Sequence, residues 1–280
     1  MVGERIRIVS ELERSDASFD VTDERVMTAL RDAEERHFWH VTRNEWIAER
    51  LKRLGLAAGA RMIELGCGGG CVTAQLARAG FEVVGVEGQR SLVELASRRA
   101  PGARFVVHDL RRGAGELPER GFDVAGLFDV LEHLEAPAQV LREAMTLVRP
   151  GGMVVGTVPA LQALWSRIDE QAGHKVRYER DTLGALLNQI AGARVLEVAA
   201  FNRVLVPLLY VQRRLVTRAD RSESSRANLA VPMWPINAGL AAMLRLERKA
   251  SRWLEAARVP GSSLWFAMQV VPRGGVEPPT

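Results

Sequence analysis

Met62-Ile63-Glu64-Leu65-Gly66-Cys67-Gly68-Gly69-Gly70 decides how this chain folds. An apolar run carrying one carboxylate enters a loop made almost wholly of glycine. Val72-Thr73-Ala74-Gln75-Leu76-Ala77-Arg78-Ala79 then has helical composition and ends at Gly80. The pattern predicts a strand, a tight turn and a helix. Glycines there let the backbone turn sharply and let a ligand approach the main chain closely.

The alternation continues downstream. Segments 81–87, 103–109, 122–129, 153–158 and 194–201 read as strands, and the first three of these end on Glu87, Asp109 and Asp129. Segments 91–99, 137–148 and 181–192 read as helices, with Ser91 and Asp181 as candidate caps. Strand and helix alternate over about 140 residues, which predicts a doubly wound, Rossmann-like α/β sheet, parallel over most of its width. Ligands in such sheets sit beyond the carboxyl ends of the strands. Glu64, Glu87, Asp109 and Asp129 all fall in or near that rim.

Around this core (55–202) the remaining chain divides into four parts. Residues 1–54 are expected to form an amino-terminal arm and helical lid, polar and irregular to about residue 24 and helical in pattern over 23–54. Within it, His37-Phe38-Trp39-His40-Val41-Thr42-Arg43 reads either as a lid over a ligand or as core packing with edge histidines. Residues 203–262 break the alternation and form a basic helical insertion. It holds an amphipathic segment over 205–217, a polar stretch over 217–228, a rigid turn at Pro232-Met233-Trp234-Pro235 and a long helix over 238–257. Residues 263–271 are a final strand, and 272–280 a disordered tail.

The chain has 280 residues, 47% of them hydrophobic and 26% charged, so a packed core is expected. No apolar signal-peptide core appears in the first forty residues, and the apolar run at 204–211 is too short to span a bilayer. The two cysteines, Cys67 and Cys71, form neither a structural zinc set nor a disulfide framework. A reducing cytoplasm fits, with the inner membrane face as a peripheral alternative. Segment 203–258 holds eleven Arg or Lys against Asp220, Glu223, Glu247 and Glu255, which leaves the rest of the chain at −3 out of a net +4. That surplus is either an anion-facing surface or a solvated helix face. No appended domain points to nucleic acid.

Two cofactor classes compete for the glycine loop. A dinucleotide site wants G-x-G-x-x-G, but the sixth position is Cys71. Glu64, two residues before the first glycine, suits a cationic ligand better than a pyrophosphate. S-adenosylmethionine, with its sulfonium and ammonium, is such a ligand.

Glu64-Leu-Gly-Cys-Gly-Gly-Gly70, Gly85-Val-Glu87, His108-Asp109-Leu110, Phe122-Asp-Val, Asp129-Val-Leu-Glu-His-Leu134 and Leu147-Val-Arg-Pro-Gly-Gly152 together resemble a class I S-adenosylmethionine-dependent methyltransferase from about residue 60 to 160. The resemblance implies a seven-stranded sheet whose last strand is antiparallel, with 203–262 inserted between strands six and seven. It implies cofactor contacts at Glu64, Gly66, Cys67, Gly68, Gly70, Gly88, Phe128, Asp129 and His133. Glu87 would hold the ribose hydroxyls, and Asp109 with the Leu110 backbone would read the adenine. The flanks, His37-Phe-Trp-His40 with Arg43 and the run from Val158 through Trp165, Asp169 and His174 to Tyr178, resemble a bacterial subgroup often associated with envelope saccharides, lipids or secondary metabolites.

For catalysis, His174 is the first candidate base, with Tyr178 as its orienter and His133 second. Trp39, His40, Arg43, Trp165, His174 and Arg177 are expected to wall an acceptor pocket. His37 and His40 lack an assignable carboxylate partner, so no metal site is expected. The expected activity is methyl transfer to a small-molecule acceptor, O-methylation first. The alternatives are a membrane-associated enzyme acting on a lipid-linked acceptor through contact by 203–258, and a cofactor-binding regulator or non-methylating enzyme. A homodimer through the insertion is a further expectation.

Overall fold

The computed structural model describes residues 6–10, 31–216 and 231–271. Eight strands form one sheet: β1 (Ile6–Ile8), β2 (Arg61–Leu65), β3 (Glu82–Glu87), β4 (Arg104–Val107), β5 (Phe122–Phe128), β6 (Val148–Pro159), β7 (Ala193–Phe201) and β8 (Ser263–Val270). Their order across the sheet is β1-β4-β3-β2-β5-β6-β8-β7. β8 runs antiparallel to both its neighbours, and the other pairings are parallel. The expected core is therefore present, and the insertion leaves and re-enters the sheet within one antiparallel pair.

Helices among the described residues include α1 (Phe38–Arg53), α2 (Cys71–Arg78), α3 (Arg90–Arg99), α4 (Pro137–Leu147), α5 (Arg167–Gln171), α6 (Arg180–Asn188), α7 (Val206–Val216), α8 (Trp234–Lys249) and α9 (Ser251–Ala256). Apolar strand faces explain the layering, since the central strands are buried on both sides. One core layer joins Ile63, Leu65 and Val84 to Leu141, Leu183 and Phe266. The other joins Met62 and Val83 to Trp46, Ile47 and Leu51 of α1. Trp46 stacks on Phe201 at 4.4 Å and meets Trp265 edge-on at 5.6 Å, which fixes α1 against β7 and β8.

Several local expectations need correction. The polar amino-terminal arm contains β1, an eighth strand pairing Ile6 with Phe105 and Ile8 with Val107. Three residues among charges give no readable alternation; the open edge of β4 supplies the template. Gln89, not Ser91, stands at the amino end of α3. Glu179, not Asp181, caps α6, with its N–H donating to Thr182 Oγ1 at 3.0 Å. β6 starts at Val148, five residues earlier than expected, because Arg149-Pro150-Gly151-Gly152 is accommodated as an irregularity in the β5–β6 register. The long helix breaks at Ala250 into α8 and α9, and Pro235 lies in the first turn of α8, where a missing N–H costs nothing. The expected tail at 272–280, the polar stretch at 217–228 and the arm at 1–5 and 11–24 lie outside the described residues.

The insertion packs back on the amino-terminal helix. Arg245 reaches Glu45 at 2.6 Å, and Arg248 reaches Glu45 and Glu49, each at 3.1 Å. Arg203 pairs with Glu247 and Glu255. Part of the basic surplus, Arg245 and Arg248, is therefore spent on α1.

Candidate active site

The loop after β2 makes its turn with positive φ at three glycines: 75° at Gly66, 53° at Gly68 and 75° at Gly70. Their roles differ. A side chain at Gly66 would strike Val130, and one at Gly70 would strike Ala96, whereas Gly68 faces open space. Gly66 and Gly70 thus permit packing, and Gly68 leaves its main chain open. Cys67 turns its thiol inward against Gly85, and burial pushes that thiol well up. Its share of the loop is backbone.

Carboxylates close this cradle. Glu87, at the end of β3, accepts from Gly68 N at 3.2 Å and Gln89 N at 3.0 Å, with further support from the Gly88 backbone. Burial raises its pKa against those donors. Each Glu87 oxygen retains acceptor capacity for a hydroxyl. The buried Gln89 Oε1 beside it has no partner. Glu64 is buried beneath the loop and accepts from Thr73 Oγ1 at 2.5 Å; burial pushes its pKa up to about 7. Asp109 is already engaged: Arg111 binds its carboxylate through Nε at 3.1 Å and NH2 at 2.9 Å, and Ser10 Oγ accepts from its N–H. Leu110 follows in a single helical turn.

At the end of β5, Phe128 is buried in the core and Asp129 adopts φ 56°. A left-handed aspartate is strained by about 1–3 kcal/mol and persists only where neighbours hold it. Thr157 Oγ1 donates to Asp129 Oδ1 at 3.1 Å, and Arg43 of α1 pairs with Oδ2 at 2.5 Å. Arg43 also holds Asn44, whose amide contacts Cys71 Sγ. Expected as an acceptor-pocket residue, Arg43 does not line the cavity that opens beside Asp129 and braces that carboxylate at the end of β5.

A cavity of about 650 Å³ opens beside Asp129. Its walls come from α1 (Phe38, Trp39, His40), the turn after β5 (Glu132, His133), the loop after β6 (Asp169, His174, Arg177) and the insertion (Leu205, Leu208, Leu209, Leu240). Four of the six expected pocket residues, Trp39, His40, His174 and Arg177, meet there. Trp165 does not line it; its indole donates to Glu170 at 3.4 Å. Burial and the nearby Arg43 hold the His40 imidazole down at about 3, so it is neutral.

His174 and His133 stand edge to face at 4.8 Å. The orienter of His174 is Asp169, whose Oδ1 lies 3.1 Å from Nδ1, and not Tyr178. Tyr178 turns into the core and donates to the Leu131 carbonyl at 3.4 Å, with burial and Glu132 pushing its phenol up to about 12. Asp169 is only 1% exposed and also receives Arg177 Nε at 2.8 Å, Ser166 N at 2.9 Å and Arg213 of α7. Burial alone would raise its pKa; the His174 hydrogen bond and the two arginines overturn that and hold it well below the carboxylate range.

In the sequence Asp169 and Glu132 stand only as motif positions without a role, and nothing singles out Arg213, Glu34 or Arg99. Ser166-x-x-Asp169 reads as a capping box, which it also is, so its second duty leaves no separate signal. Arg99 binds Glu34 at 2.5 Å and the Gly69 carbonyl at 2.7 Å, pinning the glycine loop to the amino-terminal segment. No metal site is expected from the sequence; Glu132, His133 and His174 nonetheless bring one side-chain N or O atom each within 4.8 Å of one another, on elements about forty residues apart in sequence.

A glycine-turned β2–α2 loop, a carboxylate ending β3 and an antiparallel β8 define the class I, Rossmann-like methyltransferase fold. Residues 38–207 match the methyltransferase domain family, and the chain belongs to it. Its relatives include ubiquinone biosynthesis O-methyltransferases from Ralstonia nicotianae (38% identity over 100 residues, 35% of this chain and 42% of the relative) and Aeromonas salmonicida (32% over 152 residues, 50% and 62%). The chain thus spans about half the length of the curated relatives it matches. Among solved structures, a chain from the complex of the Haloferax volcanii Trm112 methyltransferase activator with a methyltransferase superposes with TM-score 0.56 at 17% identity, covering 92% of this chain and 100% of that one. The Haemonchus contortus phosphoethanolamine N-methyltransferase 2, in complex with S-adenosyl-L-methionine, gives 0.51 at 18%, covering 87% and 60%. Both share the fold.

Proposed function

We propose that this chain transfers a methyl group from S-adenosylmethionine to a hydroxyl of a small, largely apolar molecule seated in the cavity beside Asp129. The observation that carries the reading is the meeting of His174, held by Asp169, with the end of β5 in a single cavity continuous with apolar side chains of the insertion. The residues fit the cofactor: an open cradle at Gly68, a bidentate-capable Glu87, and Glu64 beneath the loop. The cofactor supplies an already activated methyl on a sulfonium, so the protein's task is alignment and exclusion of water. Asp129 and the glycine loop border the donor side. Trp39, Leu208, Leu209 and Leu240 shape an apolar seat. His174 Nε2, left free by the Asp169 bond at Nδ1, would accept the proton that the acceptor hydroxyl gives up on methylation. The O-methyltransferase names of the curated relatives support oxygen as the acceptor atom.

A second reading is favoured by one observation. Leu208, Tyr210, Val211, Met233, Trp234, Ile236, Met243, Leu246 and Trp253 are exposed on the insertion, with Trp234 81% and Trp253 71% exposed. An exposed apolar surface on the insertion, the element whose Leu205, Leu208, Leu209 and Leu240 wall the cavity, suits an acceptor carried by a lipid. No described helix is long and apolar enough to cross a membrane. Calorimetry with the cofactor, then S-adenosylhomocysteine release across phenols, catechols and lipid-tailed hydroxyl compounds, tests both. Cofactor binding with no turnover on any hydroxyl acceptor would overturn the reading in favour of a cofactor-binding regulator. Turnover confined to acceptors in vesicles, with co-sedimentation, would select the membrane form.

A further inference from the structure

Two guanidinium groups share one carboxylate in the cavity wall. Asp169 Oδ1 accepts from Arg177 Nε at 2.8 Å and stands 3.1 Å from His174 Nδ1; Oδ2 takes Arg213 and Ser166 N. Each oxygen thus already serves two groups. The side chains of Arg177, Arg213 and Asp169 are only 6%, 11% and 1% exposed, so two positive charges and one negative are held together out of water. The other acidic groups lining the cavity do not cancel the surplus. Asp129 is paired with Arg43, and Glu132, buried with neither oxygen hydrogen-bonded, is held neutral by desolvation. Burial likewise keeps His37, His40 and His133 neutral.

Arg213 shows where that surplus is on offer. Its bonds to the Leu164 carbonyl, Ser166 Oγ and Asp169 Oδ2 all run through one terminal nitrogen, Nη1. Its Nε is buried without a partner, and the residue lines the cavity. A desolvated guanidinium edge with an unmet donor calls for an anionic oxygen. The surplus is a single charge, which a carboxylate matches, whereas a phosphate monoester brings nearly two at neutral pH. The planar fork of arginine also fits the carboxylate plane. We infer that the acceptor molecule is a hydroxy acid, its carboxylate received by the Nε edge of Arg213 while its hydroxyl lies at His174.

His174 and Arg213 engage opposite oxygens of Asp169, so the two anchoring points keep a fixed separation. Leu209 lies one helical turn before Arg213 on α7 and lines the same cavity, which places an apolar contact beside the cation. The molecule so described is an amphiphilic monoanion, apolar in its body and charged at one end. The inference rests on the proposed methyl transfer only for its hydroxyl; the carboxylate site stands on the arginines.

The test is calorimetry on the full chain with S-adenosylhomocysteine present. The probes are hydroxyphenylalkanoic acids of graded chain length, each with its matching carboxamide and phosphonate. The best acid is expected to bind at least about tenfold more tightly than either counterpart. Arg213→Gln should remove the preference for acid over carboxamide, and Arg213→Lys should restore part of it. A merely structural role would weaken acid and carboxamide alike and leave their ratio unchanged. Equal affinity for acid and carboxamide in the parent, tighter binding of the phosphonate, or a ratio unchanged in folded Arg213→Gln would overturn the assignment. Circular dichroism checks folding, and if Arg213→Gln fails to fold, Arg213→Lys and the parent's own ratios decide. Methyl transfer from S-adenosylmethionine to the same acids is read separately. An acid bound selectively but never methylated defeats the methyl-transfer reading and leaves the carboxylate site standing.

Discussion

Arg213, on the first helix of the insertion, pairs with Asp169, the residue that holds His174. Arg213 also donates to the Leu164 carbonyl and to Ser166 Oγ, so one side chain closes α7 over the loop after β6. The cavity wall and the proposed proton acceptor are thereby mechanically joined. Arg213→Gln is expected to lower turnover about tenfold while leaving cofactor affinity within about twofold, since the coupling touches only the acceptor side. Single-turnover kinetics beside cofactor calorimetry would show this; equal losses in both would break the assignment.

Arg43 offers the opposite case. Its removal leaves the strained Asp129 carboxylate next to buried Glu132 without a cation. Arg43→Ala should destabilise the chain by about 2 kcal/mol, less than for a fully buried pair because Asp129 retains some solvent. It should also weaken the cofactor more than the acceptor. Chemical denaturation and cofactor titration give the two numbers.

The three glycines of the loop should respond differently to alanine. Gly70→Ala meets the Cα and Cβ of Ala96 at under 3 Å and should lower thermal stability. Gly68→Ala meets nothing, so its stability loss should be limited to about 1 kcal/mol for the left-handed backbone, while cofactor affinity falls at least tenfold. Glu87→Ala should cost a similar loss in affinity with the fold intact. If Gly68→Ala bound the cofactor normally, the ligand would not approach there.

Stability should depend on pH through the buried carboxylates. The Glu64 pKa is raised to about 7 from an unfolded value near 4.3. Its contribution is therefore complete below about pH 4 and lost as pH rises through 7, on the order of 3 kcal/mol. Glu87 and Glu132 are raised and act in the same direction. Asp169 is lowered and acts in the opposite one, stabilising above its unfolded pKa and failing only in acid. His40, held down at about 3, acts against the three glutamates over the same range, so the test compares chains: between pH 5 and pH 8 the melting temperature of cofactor-free Glu64→Gln should fall less, or rise more, than that of the parent. An unchanged slope in the variant would remove Glu64 as its source.

The strands and their rim carboxylates were legible because each strand carries its own apolar run and ends on a marked residue. Glu64, Glu87 and Asp129 needed only order and spacing. The partners of those groups were not legible. Arg43 sits 86 residues before Asp129, and Arg213 is 44 residues after Asp169; nothing local announces such pairs. Tyr178 illustrates the reverse failure. Its position four residues after His174 suggested contact, but an isolated bridge from Ala160 to Tyr178 turns the ring into the core. β1 escaped because a three-residue strand borrows its register from β4 and carries little pattern of its own.

The pairing of Phe201 with Ser263 has a consequence for how such a protein diversifies. The insertion begins and ends at one point of the sheet, so its length and content change without altering any strand's neighbour. Loop-closure cost grows only slowly with added residues. Exchanging the segment between these two positions for that of another member of the family would move a whole cavity wall as a cassette. Substrate preference would then travel with it, and the donor half of the enzyme would not need to be rebuilt.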